Sequence, residues 1–261
     1  MGGLAVVLAI ALACAVTPPL LGYQPDATNL DVAWRPPLSP SHLLGTDGLG
    51  RDILLRSLAG GRTSLLIGFL GTAVAWCIGT VYGAVAGFLG GLADAMMMRC
   101  VDVLYGLPFQ FVVIALTLLV GRGMIPIILA IAAMAWLTVA VVTRGVAIGL
   151  RRRAFVDAAR IGGMHPLGIV RWHIVPNALG PVIVYASLLM PEVMLAEAAL
   201  SFLGLGIQEP QTSWGSLIGD GVQAIETAPW GVLVPALLMS VTLAALNLVA
   251  DGLRDAFDPR Y

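Results

Sequence analysis

Most of this chain consists of apolar stretches that are too long and too hydrophobic for a soluble core. Of its 261 residues, 59% are hydrophobic and 11% are charged, against roughly 45–50% apolar and 25% charged in soluble domains. A helix needs about 20 apolar residues to cross a bilayer. The hydropathy pattern therefore predicts an all-α, polytopic protein in the lipid bilayer with about six transmembrane helices, at 4–21, 64–88, 96–120, 124–148, 178–202 and 230–250.

An even number of spans places both termini on one side, and the basic residues indicate which side that is. All fourteen are arginines, and in the predicted layout nine lie on one side and five on the other. The nine are Arg99, Arg144, Arg151, Arg152, Arg153, Arg160, Arg171, Arg254 and Arg260; the five are Arg35, Arg51, Arg56, Arg62 and Arg122. Arginine near short loops is retained in the cytoplasm. The asymmetry therefore predicts that both termini are cytoplasmic.

A polar, basic segment separates the fourth and fifth predicted spans. Gly162 and Gly163 predict a break between two short helices, because glycine ends a helix without the steric cost of a Cβ atom. On the second helix, Leu167, Val170 and Ile174 are spaced to form one apolar stripe. The pattern predicts a docking element rather than a span.

Two alanines in the first of these short helices, Ala158 and Ala159, leave its backbone open to close approach. Small residues at a helix surface are typical of tight protein–protein contact. The segment is therefore predicted to bind another protein.

Ionisable groups at membrane depth are costly, and they face protein or water. Asp102, Glu192 and Glu197 are the candidates. Arg99 lies three residues before Asp102, which favours a local ion pair over a place in a transport pathway. Glu192 and Glu197 are five residues apart and fall on different faces of one helix. For both, lining of a pathway and helix packing remain open.

Four segments carry a resemblance to a known family. Asp-Ala-Ala-x-x-x-Gly at 157–163, followed by His-Ile-Val-Pro-Asn at 173–177, resembles the cytoplasmic coupling loop of ABC-importer permeases. Residues 42–52, 200–210 and 251–259 resemble the dipeptide/oligopeptide branch of that family. Asp157 stands where the family usually has Glu, and Val175 where it usually has Leu.

The resemblance implies a type I ABC-importer permease fold, with an N-terminal helix and extracytoplasmic segment at 1–61, a transmembrane domain at 62–251 and a cytoplasmic tail at 252–261. It also implies an ATPase-coupling loop at 151–176. The coupling residues it points to are Phe155, Asp157, Ala158, Ala159, Arg160, Gly163, His165, Leu167 and Val170.

The resemblance further implies one half of a translocation pathway in a bacterial plasma membrane. A homologous second permease subunit, two ABC ATPase subunits and an extracytoplasmic peptide-binding protein would be the partners. Segments 105–111, 185–191 and 208–210 look closer to oligopeptide permeases than to those for dipeptides, nickel or another small solute.

Residues 47–58 are predicted to form a separate helix along the membrane surface. A simple lead-in to the second span and a role in receiving the binding protein are both open.

The chain contains no lysine, so it lacks the phosphate-binding loop G-x-x-x-x-G-K-[ST]. We therefore expect no cofactor in this chain, with ATP and Mg on partner ATPase subunits. The formal net charge of −1 gives no reason to expect nucleic acid as a partner.

Two other functional classes fit the sequence less well. An intramembrane enzyme would need a nucleophile with its base or a metal cluster, yet H-E-x-x-H and G-x-S-x-G are absent and Cys14, Cys77 and Cys100 form no metal-binding pattern. A secondary transporter would more often show an internal repeat and paired broken helices. We therefore expect a permease subunit and not an enzyme.

Overall fold

The computed structural model describes residues 2–25, 27–121 and 123–257, with only the backbone described at 117 and 118. Within these residues the regular structure is helical, apart from isolated bridges in the segment 39–52. A 3₁₀ turn spans Leu30–Val32, and a π-helical turn, Val170–Ile174, joins α7 to α8. The helices are α1 Gly2–Leu20, α2 Ile53–Leu89, α3 Gly91–Tyr105, α4 Phe109–Val120, α5 Met124–Leu150, α6 Ala154–Ile161, α7 Pro166–Ile169, α8 Val175–Phe202, α9 Trp214–Val222 and α10 Trp230–Phe257.

Within the described residues, five helices are long and apolar enough to cross a membrane, and α3 with α4 makes a sixth if this bent pair is one span. The predicted span over 96–120 is not one continuous helix, because α3 and α4 meet at 85°. Pro108 explains the break: it lacks a backbone N–H and disfavours helical geometry at Leu107. The chain is therefore a multi-pass membrane protein, and α3 with α4 is the one broken helix among its described residues.

The second span starts earlier than predicted. Asp52 caps α2, with its carboxylate accepting a hydrogen bond of 3.0 Å from the amide of Leu55. The helix then continues without interruption for 37 residues. The predicted surface helix at 47–58 is wrong, because from Ile53 onwards these residues are the first turns of α2. The proposed boundary between 61 and 62 falls inside the same helix.

Helices α2 and α5 run parallel at the centre of the bundle, and glycines set their separation. A Cβ atom at Gly79 would lie 2.5 Å from the Cβ atom of Val139, and one at Gly87 would lie 2.6 Å from the carbonyl oxygen of Arg144. Gly83 makes a similarly close approach to the backbone of Ala140. These glycines therefore make one face of α2 a packing surface for α5.

The bundle has two distinct ends. Gly3 in α1 lies against Ala245 in α10, and Phe257 at the end of α10 approaches Gly180 in α8. These chain ends lie at the end of the bundle that carries α6, which we call the α6 end. The opposite end, which we call the α9 end, carries α9 and the segment 27–52, joined where Trp230 Nε1 donates a 3.1 Å hydrogen bond to the carbonyl of Thr46.

Candidate functional site

The segment between α5 and α8 contains a sharp turn at the predicted glycine pair. Gly163 has φ +78°, in the left-handed region, whereas Gly162 has φ −69°. The amide of Met164 donates to the carbonyl of Ala159 at 3.1 Å, and that of Gly163 donates to Arg160 at 3.0 Å. These two bonds form a Schellman cap, in which a left-handed residue after the helix satisfies its last carbonyls. The predicted break is therefore confirmed, and it depends on Gly163 in particular.

The second short helix begins immediately after this turn. His165 is its N-cap, and its Nδ1 accepts a 3.3 Å hydrogen bond from the amide of Leu167. Pro166 occupies the first helical position, where its missing N–H leaves no intrahelical bond unmade. The helix does not stop there, because α7, the π-helical turn and α8 form one helical run from Pro166 to Phe202. The prediction of a second helix separate from the span is wrong.

One side of this segment is anchored to the ends of α2 and α5. Val156, Ile169, Val170 and Ile174 are buried there in one cluster with Phe88. The predicted stripe is wrong at Leu167, which is 56% exposed. Leu167 lies in the first turn of the helical run and stays outside the cluster, which contains residues 169, 170 and 174. Val170 therefore packs on the buried side of the segment.

The opposite side of the segment is exposed and mostly apolar. Its exposed hydrophobic side chains are Phe155, Ile161, Met164, Leu167 and Trp172. Ala158 is exposed among them, while Ala159 is partly buried against the cluster beneath. The surface thus combines large apolar side chains with a small residue, as expected of a surface that another protein covers.

The charged residues of α6 are held only loosely. Arg160 Nη1 lies 3.2 Å from Asp157 Oδ1, and both side chains are about half exposed. The Arg160 guanidinium also lies over the ring of Phe88, 5.3 Å from its centroid. An exposed pair three residues apart contributes about 0.2–0.5 kcal/mol, so Asp157 is free to exchange Arg160 for another partner.

The two glutamates of α8 have different environments. Glu197 is fully buried and accepts hydrogen bonds from Ser64 at 3.0 Å and from Ser201 at 2.7 Å. The Ser64 hydroxyl also accepts a 3.1 Å bond from the amide of Trp214, so the network joins α2, α8 and α9. Glu192 is exposed and lines a cavity of about 510 Å³. The sequence-based expectation of different faces is confirmed, and the geometry of Glu197 fits helix packing.

Asp102 and Arg99 form the expected pair, although only weakly. Their charged atoms are 3.9 Å apart and the side chains are 64% and 84% exposed. The described contacts place neither residue beside Glu192 or Glu197. The structure therefore does not gather the three candidate acids at one site.

Sequence reasoning missed a partly buried ion pair near the α6 end. Asp94 accepts two hydrogen bonds from the Arg144 guanidinium, at 2.5 and 2.7 Å. The pair joins α3 to α5 across 50 residues of sequence. No periodicity indicates such a pair; the two residues meet because Gly83 and Gly87 let α2 and α5 approach closely.

A second missed feature is a charge network at the α9 end. Arg56, only 5% exposed, lies 2.5 Å from Asp47, 3.4 Å from Glu209 and 3.7 Å from Asp220. Arg51 contacts both Asp47 and Glu209 at 2.7 Å. Burial alone would lower the pKa of the Arg51 guanidinium, but its bonds to Asp47 and Glu209 outweigh that effect and raise the pKa. The network closes the segment 42–52 onto α9.

This geometry defines the class of the protein. It is a helical membrane protein with an exposed segment that is anchored at one end of the bundle. The sequence matches the family described as the binding-protein-dependent transport system inner membrane component over residues 79–261. The chain therefore belongs to that family of inner-membrane transport components.

Its relatives include permease subunits from several bacteria. It is 46% identical to the oligopeptide transport system permease protein OppC of Haemophilus influenzae over 86% of this chain and 72% of that protein. Identity to OppC of Escherichia coli K12 is 44%, over 100% of this chain and 86% of the relative. The dipeptide transport system permease protein DppC of Bacillus subtilis is 39% identical over 100% of this chain and 81% of that protein.

Solved structures share the fold. In two inward-facing crystal forms of the MetNI methionine ABC transporter, a chain superposes with TM-scores of 0.62 and 0.60. The sequence identities are 17% and 18%, over 78% of this chain and 96% or 97% of the other. The predicted ABC-importer permease fold is confirmed.

Proposed function

We propose that this chain is a permease subunit of an ATP-driven importer of oligopeptides. It would form half of the translocation pathway beside a homologous second permease, with two ABC ATPase subunits at the α6 end. ATP and Mg would bind to those ATPases, and a peptide-binding protein would deliver the substrate at the α9 end. On this proposal the α6 end is cytoplasmic, with both termini, and the membrane is the bacterial plasma membrane.

The observation that carries the proposal is the two-sided segment 154–169. Its buried side rests on the ends of α2 and α5, so a force applied to the segment reaches both central helices. Its exposed side presents Phe155, Leu167 and the small Ala158 to a partner. ATPase closure would then tilt these spans and alternate access to the pathway.

The oligopeptide assignment is supported by relatives named for oligopeptide transport at 44–46% identity. Dipeptides are the second candidate, because the dipeptide permease DppC of Bacillus subtilis is similar over the whole of this chain. Uptake assays with dipeptides and with tri- to pentapeptides separate the two, and uptake of a nickel chelate alone would contradict both.

Reversal of one charge tests the coupling surface. Asp157→Arg should abolish transport and substrate-stimulated ATP hydrolysis, because it adds bulk and reverses a charge beside Ala158. Since the lost pair with Arg160 is exposed, insertion and pairing with the second permease subunit should be unchanged. Purified complexes are assayed for subunit content and for ATPase activity with and without loaded binding protein.

Asp255→Arg is the matched control, because Asp255 is an exposed carboxylate at the α6 end but lies outside the segment. The Asp255→Arg variant should keep substrate-stimulated ATP hydrolysis intact. Normal uptake and stimulation in the Asp157→Arg complex would show that the segment is an ordinary linker.

A further inference from the structure

The cavity beside Glu192 lies where the broken helix meets α5 and α8. Its volume of about 510 Å³ is within the range of small-ligand sites, roughly 300–1,000 Å³. Phe109, Met134 and Leu189 contribute apolar walls. Non-helical backbone at membrane depth is tolerated where it lines a cavity, which is the position of Leu107 and Pro108 here.

Glu192 is the one charged side chain among the described residues that line this cavity. Within residues 2–25, 27–121 and 123–257, it makes no ion pair and no hydrogen bond. Glu197, one and a half turns further along α8, is satisfied by two serines. An unpaired carboxylate in a mainly apolar cavity is available as the counter-ion of a cation that enters it.

The other polar groups of the cavity also suit a cation with hydrogen to donate. The hydroxyls of Tyr105 and Thr138 are 2.6 Å apart on its wall, and each retains acceptor capacity. Tyr105 is also the last residue of α3. The C-terminus of a helix carries partial negative charge and favours cations. The carboxylate and the helix end therefore make the site negative, and the hydroxyls add hydrogen-bond acceptors within apolar surroundings.

We propose that this cavity binds the free amino terminus of the transported peptide, with Glu192 as the counter-ion of its α-ammonium group. The inference rests on the proposed function, peptide import, and adds the part of the substrate that this subunit recognises. An ammonium is common to peptides of any sequence, and the apolar walls accept varied side chains without specific bonds. A carboxylate terminus would be repelled by Glu192 and by the helix end.

Matched peptides test the proposal in the complete transporter in proteoliposomes. A tetrapeptide with a free amino group and its N-acetylated form are supplied at concentrations that saturate the binding protein. Glu192→Gln should lower uptake of the free peptide about tenfold, the scale of a hydrogen bond to a charged group, and leave the acetylated one unchanged. Glu192→Asp should restore part of the uptake. Glu226→Gln, which removes an exposed carboxylate far from the cavity in sequence, should change neither.

Cross-linking gives a second measurement that does not depend on delivery of the acetylated peptide. A cysteine replaces Ala135 on the cavity wall of a cysteine-free variant, and peptides carry a thiol-reactive side chain at their first or last residue. The first-residue probe should react preferentially, and Glu192→Gln should remove that preference.

Three results would overturn the proposal: unchanged uptake of the free peptide by Glu192→Gln, equal cross-linking of the two probes, or loss of the second permease from the variant complex. The last would show that Glu192 pairs with the partner subunit. No peptide uptake by the wild-type complex would instead overturn the proposed function.

Discussion

The two ends of the bundle are held together in different ways. At the α9 end, Arg51 and Arg56 connect Asp47, Glu209 and Asp220 in a network that joins three separate segments. At the α6 end, the segment 154–169 has a buried apolar side, but its exposed pair, Asp157 and Arg160, lies within a single turn. The network at the α9 end satisfies its charges internally, whereas the exposed segment at the α6 end leaves the charges of Asp157 and Arg160 available.

This contrast indicates which end is built to change partners. The buried charges of Asp47, Arg51 and Arg56 are costly to separate, because each would be left unpaired in a poorly solvated site. Exposed charges separate at little cost. We therefore expect the α9 end to move as a unit and the α6 end to respond to a bound protein.

The largest effect should be seen in labelling, which is all-or-none. In a variant without cysteines, a cysteine in place of Ser41 should react with an impermeant maleimide in intact cells. One in place of Met164, which is 40% exposed, should react only after permeabilisation. Both sites lie in exposed segments at opposite ends of the bundle. The reverse pattern would invert the proposed orientation.

The next largest effect should come from the network itself. Arg56→Met removes the buried partner of Asp47 and Glu209, and we expect a loss of about 3 kcal/mol in unfolding free energy, at the low end for a broken buried pair because Arg51 still holds Asp47. The loss of stability is measured by the midpoint of thermal unfolding in detergent.

Arg62→Met is the control for this change. Arg62 lies in the same helix, is exposed, and has no ion pair among the described residues. The Arg62→Met variant should unfold at a temperature close to that of the wild-type protein. Equal destabilisation by the two variants would mean that Arg56 contributes packing rather than charge.

Some of this architecture can be predicted from the sequence and some cannot. Long apolar stretches determine the spans because burial in lipid depends on composition. The break at Gly162 and Gly163 is also predictable, because a helix end is a local property of a few residues. The pair of Arg99 and Asp102 follows from helical spacing alone.

The long-range contacts cannot be predicted in this way. Asp94 meets Arg144 because α2 and α5 pack closely and α3 folds back beside them, and no local pattern contains that information. The network around Arg56 depends likewise on where Glu209 is placed by a distant loop. Sequence alone also gave no means of distinguishing Glu192 from Glu197, because only the packing of α8 decides which one faces a cavity.

A smaller effect should separate the two glycines at the α6 end. Gly163→Ala forces a side chain into the left-handed region, at roughly 1–2 kcal/mol, although nothing lies within 4 Å of the new Cβ atom. Gly162→Ala needs no backbone change, and its Cβ would be 3.4 Å from the nearest atom. We expect substrate-stimulated ATP hydrolysis to fall in the first variant only. Equal activity would show that the turn tolerates a different cap.

The smallest effect on the chain itself should come from Asp102→Asn. The pair with Arg99 spans 3.9 Å between exposed side chains, so its loss should change the unfolding free energy by less than about 0.5 kcal/mol. Both charges nevertheless lie on an exposed face of α3, where a second permease subunit would be able to contact them. We therefore expect less partner subunit to co-purify with the variant, and Arg99→Gln to behave in the same way. If the variant assembles normally but prefers a different peptide, Asp102 belongs to the pathway. The contrast between charges that are satisfied internally and charges that can change partners would then extend into the membrane.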